Sequence, residues 1–292
     1  MSSIPDWFWA AVESPREEGT VEVDECDVHF LAWGERHQPG LLLVHGMNAH
    51  AHWWDFIAPQ LADRYRIAAL DLTGMGDSDY RYEYDADTWA DELAAVADAA
   101  GLGIDTVIVG HSFGGRIGLH AAVRLADRFA GLVMADSGIR DPDDDSDGER
   151  PSVGGRPVLY PDADTARNRF RLQPPQDCAN GFLLEYIARH SVMAIDDGFA
   201  FKFDTDLMDS MSGVSREDAE ADFAALTLPL GLIYGAESRL FSGRTLDYMR
   251  QLRAHDFPAR ALAGAQHHLF LDQPLAFVEA LQSMLDELST AT

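Results

Sequence analysis

The chain has 292 residues, 47% of them hydrophobic, which suffices for one sizeable α/β domain with a core that needs no disulfides. A net charge of −27, from 49 acidic and 22 basic residues, argues against nucleic-acid binding and against attraction to anionic membranes. No run is apolar and long enough to span a bilayer, and residues 1–7 lack the basic-then-apolar order of a secretory signal, so a cytoplasmic location is expected, with Cys26 and Cys178 as reduced thiols.

Trp7, Phe8 and Trp9, set between Asp6 and Glu13, are expected to pack against the body rather than touch a membrane. Alternation over 20–24 and a second run over 28–33 predict an antiparallel strand pair at a sheet edge. Residues 40–44, Gly-Leu-Leu-Leu-Val, form a continuous apolar run typical of a strand covered on both faces. It ends in His45-Gly46-Met47-Asn48, where the glycine lets the backbone turn and leaves the Met47 N–H as a donor above the sheet. His50 and His52, with Trp53 and Trp54, open a segment that reads as a helix through Leu61. No third ligand stands at a metal-site spacing from this His-x-His, which places the two histidines at a pocket rim or surface.

Residues 66–71 form the next buried strand, followed by a tight loop, 72–78, that lacks the Gly-Lys-Ser/Thr of a phosphate-binding loop. A helix over 87–100 carries Trp89, Leu93 and Val96 on one stripe and closes at Gly101 and Gly103. Strand 105–109 then runs into Gly110-His111-Ser112-Phe113-Gly114-Gly115 and a helix through Leu125, and strand 131–136 follows. A strand that reverses into a helix so abruptly has no room for Cβ atoms beside the turning residue, so Ser112 is pushed outward in a strained conformation. The helix start behind it offers free N–H groups suited to an oxyanion. Buried strands alternating with helices predict a mostly parallel sheet of about eight strands, helices on both faces.

The pattern breaks over 137–222, read as a helical cap inserted into a core made of 1–136 and 223–292. Asp143, Asp145, Asp147 and Gly148 imitate the opening of a calcium loop, but Gly154 stands where the bidentate Glu belongs, so calcium is not expected. Helices are expected over 163–172, 182–190 and 206–211, in a segment unusually rich in Phe and Met for a connection, as suits a lid. The sheet resumes at 228–235; a helix covers 243–253, a last strand 259–262 and a final helix 275–288. His267 and His268 follow that last strand, at the sheet end that carries Ser112.

His45-Gly46, the Asp71-x-x-Gly-x-Gly-x-Ser78 loop, the Gly110–Gly115 turn and His267 before a final helix resemble the α/β-hydrolase fold superfamily over nearly the whole chain. The similarity is greatest to its cap-bearing branch of serine esterases, lipases and carbon–carbon-bond hydrolases. It implies a nucleophile at Ser112, a base at His267 and an oxyanion hole from the Met47 and Phe113 N–H groups. Serine at the turn speaks against the aspartate-dependent haloalkane dehalogenases and epoxide hydrolases. His267 is preferred to His268 because the family's histidine directly follows the position held here by Gln266, usually glycine. The family's usual acid position, three residues after the glycine ending the seventh strand, holds Ser238. Asp136, at the end of the sixth strand, is preferred as the acid, with Glu237 as the alternative.

The expected function is hydrolysis of a small-molecule carboxylic ester or lactone, with no cofactor and no metal. A carbon–carbon-bond hydrolase for diketone-type acids would draw its positive charge from Arg116, Arg140, Arg167, Arg169 and Arg171. A non-catalytic ligand receptor on the same fold is the third reading.

Overall fold

The computed structural model describes residues 4–143, 158–253 and 255–290. Eight strands form one sheet: β1 (Glu17–Val23), β2 (Cys26–Trp33), β3 (Gly40–Val44), β4 (Arg66–Leu70), β5 (Val107–His111), β6 (Gly131–Ala135), β7 (Leu230–Gly235) and β8 (Ala259–Leu262). Their order is β1-β2-β4-β3-β5-β6-β7-β8. β2 pairs antiparallel with β1 and with β4, whereas every other pairing is parallel, so the chain belongs to the mostly parallel α/β class. All parallel strands therefore point their C-terminal ends, and the loops that follow, to one edge, the usual place for chemistry in such sheets.

Side chains along each central strand feed two cores by turns. Leu42, Val44, Ala68, Leu70, Ile108, Leu132 and Met134 face one side, packed with residues of α2 (Ala86–Ala99), α3 (Phe113–Arg124) and α8 (Gly243–Leu252). Leu41, Leu43, Ile67, Ala69, Val109, Val133 and Ala135 face the other, with residues of α1 (Asp6–Val12), α9 (Leu269–Asp272) and α10 (Pro274–Thr290). This two-sided burial, about 1.5–3 kcal/mol for each large aliphatic side chain, is why these strands read as unbroken apolar runs.

Between β6 and β7 the described chain forms α4 (Ala163–Asn168), α5 (Gly181–His190), a hairpin of Val192–Ile195 with Gly198–Phe201, α6 (Leu207–Ser210) and α7 (Arg216–Ala225). The hairpin was not expected; its turn is Asp196-Asp197, between Ile195 and its partner Gly198. Phe8 is buried against Phe182 and Tyr186 of α5, with ring centroids 5.1 and 5.5 Å apart, and Trp7 packs edge-on to Phe182, whereas Trp9 is exposed, so the inward packing expected of the three aromatics holds for Trp7 and Phe8. The calcium-like loop lies largely outside the described residues.

The segment expected as a helix from His50 to Leu61 is two short 3-10 turns, Ala51–Trp54 and Ala58–Gln60. Pro59 lacks the N–H a continuous helix would need, and burial on every side removes the one-faced periodicity of a surface helix. His50 and His52 are buried rather than at a rim. The His50 Nε2–H donates to Ser191 Oγ at 2.8 Å, and His52 Nδ1 lies 2.7 Å from the Asp55 carboxylate. Among the described residues no helix is long and apolar enough to cross a membrane.

Candidate active site

β5 runs into α3 through Ser112, whose backbone lies at φ 52, ψ −117, a region side chains rarely adopt. Two glycines make that turn sterically possible. A Cβ on Gly110 would stand 2.4 Å from the Gly114 carbonyl oxygen, and one on Gly114 would stand 2.3 Å from that of His45. The Ser112 N–H donates to the Ala135 carbonyl at 3.0 Å, tying the turn to the end of β6. Phe113, the first residue of α3, presents an N–H with no intrahelical acceptor. The loop that carries Met47 is fixed by His45. Its Nδ1–H donates to the Gly46 carbonyl at 2.7 Å, and its Nε2 accepts the Leu72 N–H at 3.1 Å.

Asp136 follows β6 at φ 44, with its side chain fully buried. Oδ1 accepts the Gly235 N–H at 2.8 Å. Oδ2 accepts both the His267 Nδ1–H at 2.7 Å and the Ser238 hydroxyl at 2.7 Å. Glu237 is exposed and makes no such contact, its N–H instead donating to the Ala265 carbonyl. The structure thus brings Asp136, and not Glu237, to His267. Ser238, at the position where an acid is usual, serves that carboxylate as a hydrogen-bond donor. Nothing in the sequence marked that role.

His267 is held from below and from both sides. The His111 Nε2–H donates to its carbonyl at 3.0 Å, with the two ring centroids 4.8 Å apart. The peptide N–H before it, that of Gln266, donates to Asp272 Oδ2 at 2.7 Å. The one after it, that of His268, donates to Gln176 Oε1 at 2.9 Å. Gln176 Nε2 closes the ring by donating to the same Asp272 oxygen at 3.0 Å, and Asn180 Nδ2 donates to the Leu271 carbonyl at 2.8 Å. Residues 176–180, from the chain between β6 and β7, therefore clasp the histidine loop. Gln176 was missed because a lone glutamine between Pro175 and Asp177 carries no periodic or motif signal.

His268 is buried against Trp53, with ring centroids 5.4 Å apart, and burial holds its ring well below the usual histidine pKa. Of the arginines weighed for a carboxylate pocket, Arg116 donates to the Ser215 carbonyl, Arg167 pairs with Asp164 at 3.1 Å, and Arg171 donates to the Asn168 and Phe170 carbonyls. Arg167 and Arg171, with Arg189, line a hollow of about 810 Å³ whose lining includes neither Ser112 nor His267.

Three groups of side chains with metal-binding chemistry have ligand atoms within 4.8 Å of one another. In the His29, Asp71 and Asp77 group, the Asp71 carboxylate already accepts from His29, the Ala51 N–H and the Asp77 N–H. In the His52, Asp55 and His190 group, Arg16 already sits 3.1 Å from Asp55 as the cation, and the two imidazoles are stacked at 3.9 Å. The third group is His111, His267 and His268.

A strained serine at a strand-to-helix turn and a histidine–aspartate pair from the loops after β8 and β6, at the same sheet edge, define a hydrolase arrangement on an α/β sheet. The chain belongs to the alpha/beta hydrolase family, whose model matches residues 41–280. It is 24% identical over 249 residues to the 2-(acetamidomethylene)succinate hydrolase of Mesorhizobium japonicum, covering 85% of this chain and 88% of that one. To the pimeloyl-[acyl-carrier protein] methyl ester esterase of Neisseria meningitidis serogroup A it is 26% identical over 263 residues, 86% and 79% of the two chains. A match to the lipase LipV of Mycobacterium tuberculosis, 35% identical, spans 39% of this chain and 42% of that protein. Among solved structures, E-2-(acetamidomethylene)succinate hydrolase superposes with a TM-score of 0.79 at 22% identity, over 93% of this chain and all of that one.

Proposed function

We propose that the protein is a carboxylesterase-type serine hydrolase that cleaves a carboxylic ester or lactone through an acyl-enzyme on Ser112. The observation that carries this reading is the 2.7 Å contact between His267 Nδ1 and Asp136, at the sheet edge where Ser112 is held at positive φ. With Nδ1–H committed to Asp136, the lone pair of the imidazole lies on Nε2, the nitrogen that takes the Ser112 proton as Oγ attacks the substrate carbonyl. The Met47 and Phe113 N–H groups stabilise the oxyanion. Nε2–H then protonates the departing alcohol, and water, deprotonated by the same nitrogen, releases the acid. Residues 137–222 act as the cap that selects the substrate, with 176–180 as its contact to the base. An esterase and a lipase among the relatives support ester chemistry.

The test is hydrolysis of a chain-length series of p-nitrophenyl esters by the wild type, Ser112→Ala, Asp136→Asn and Glu237→Gln, with circular dichroism to verify folding. Serine-dependent turnover that collapses with Asp136→Asn and survives Glu237→Gln supports the reading. Comparable turnover by purified Ser112→Ala sinks it. Absence of turnover on every ester would shift the assignment to carbon–carbon-bond substrates or to ligand binding.

A further inference from the structure

We propose that His111, His267 and His268 form a binding site for a zinc-type divalent cation, and that its occupancy withdraws the base nitrogen of His267 from catalysis. One ring nitrogen of each lies within 4.8 Å of the other two, and all three residues are at most 4% exposed. Their ring centroids are 4.8, 4.9 and 5.5 Å apart. Three imidazoles bound tetrahedrally to one zinc, with Zn–N distances of about 2.0–2.1 Å, place their ring centres about 5 Å apart, so small torsional adjustments suffice.

The hydrogen bonds also leave the rings in the right state. His111 gives its Nε2–H to the His267 carbonyl, so Nδ1 carries the lone pair, and that atom has no hydrogen-bond partner. His267 gives its Nδ1–H to Asp136, which leaves Nε2 as its lone-pair nitrogen and supplies the carboxylate–histidine support that strengthens a metal ligand. Neither ring nitrogen of His268 has a hydrogen-bond partner, so either can carry the lone pair that coordinates. Buried nitrogens without partners, as on His111 and His268, are costly, and a cation of borderline softness would engage one on each ring together with Nε2 of His267. Ser112, partly exposed, marks the way in, and the negative field of the −27 chain concentrates divalent ions at the surface. Three protein ligands leave a fourth position for water.

The inhibition rests on the base role proposed for His267, but the binding does not. The full-length chain is titrated with cobalt(II) in excess magnesium, which occupies carboxylate sites, while visible absorption is recorded; zinc inhibition of ester hydrolysis is measured against each variant's own zinc-free rate. The wild type should take up one cobalt with the intense bands of tetrahedral coordination, displaced by zinc. His268→Ala and His268→Asn should lose those bands and need at least about tenfold more zinc for half-inhibition. Cobalt bands that depend on His268 in a chain without ester turnover would leave the metal site standing and remove only the hydrolytic reading. The proposal is overturned if no tetrahedral bands form, if both His268 variants keep them, or if they vanish with His190→Ala instead.

Discussion

Ser238 donates its hydroxyl hydrogen to the same Asp136 oxygen that receives the His267 Nδ1 proton, each at 2.7 Å. The loop after β7 thus helps to orient the carboxylate supplied by β6.

Asp136→Asn keeps the shape but replaces an acceptor by an amide that can hold the imidazole in the wrong tautomer. Turnover is expected to fall by about 10³–10⁴ in kcat, with little change in KM. Ser238→Ala removes one of three donors to the carboxylate and should cost a few-fold to about tenfold. Equal losses from Asp136→Asn and Glu237→Gln in steady-state assays would refute the assignment of the acid.

His268→Ala removes no partner of Asp136 and is expected to cost less than about tenfold in kcat, whereas His267→Ala should abolish turnover. Steady-state kinetics of the two purified variants distinguishes them. The opposite ranking would exchange the roles of the neighbouring histidines.

Gln176→Ala opens the hydrogen-bonded ring around His267. Its expected signature is a fall in kcat of about ten- to a hundredfold on short esters, and Gln176→Glu should not rescue it, since its second oxygen would face the Asp272 carboxylate to which Nε2 now donates. An unchanged kcat on short esters would show that the clasp does not hold the base.

Glu92 is fully buried on α2, where burial pushes its carboxyl up from 4.5 to about 7 against the hydrogen bonds of Thr73 and Arg81. The folded chain therefore binds more protons than the unfolded one between about pH 4.5 and 7, and this group's contribution to stability falls as pH rises through that window. Glu92→Gln should flatten the dependence, with a higher Tm relative to wild type at about pH 8 than at about pH 5. A parallel pair of Tm curves in thermal melts would disprove it.

His120, on α3, bridges Asp87 of α2 and Asp222 of α7 at 2.8 and 2.9 Å, and the Asp222 contact leads in raising it to about 9. A raised histidine stabilises fully below its unfolded value near 6.5, and the benefit is lost as pH climbs through about 9. His120→Gln should lower Tm at about pH 6 and have little effect at about pH 10, as read by calorimetry.

The central strands were legible because burial on both faces leaves unbroken apolar runs such as Leu41-Leu42-Leu43-Val44, and the turn at Ser112 because only glycine tolerates positions 110 and 114. The paired strands at the sheet edge, the long helices and the final helix also lay within a few residues of their expected bounds. Trp53 and Trp54 misled, since residues buried all round give no helical or extended period. The choice between Asp136 and Glu237 was a question of direction, and one residue along a strand end reverses direction. The clasp was invisible for a different reason: Gln176, Asn180, Gln266 and Asp272 meet only in three dimensions, about ninety residues apart in the chain.

That clasp ties two equilibria together. Under the cap role proposed for 137–222, the hydrogen bonds that seat residues 176–180 are also those that order the histidine loop, so seating that segment and aligning the proposed base draw on one free energy. A substrate too bulky to let the segment seat is penalised in the chemical step as well as in binding. Discrimination by size should then appear in kcat along an ester series, where a rigid pocket would confine it to KM.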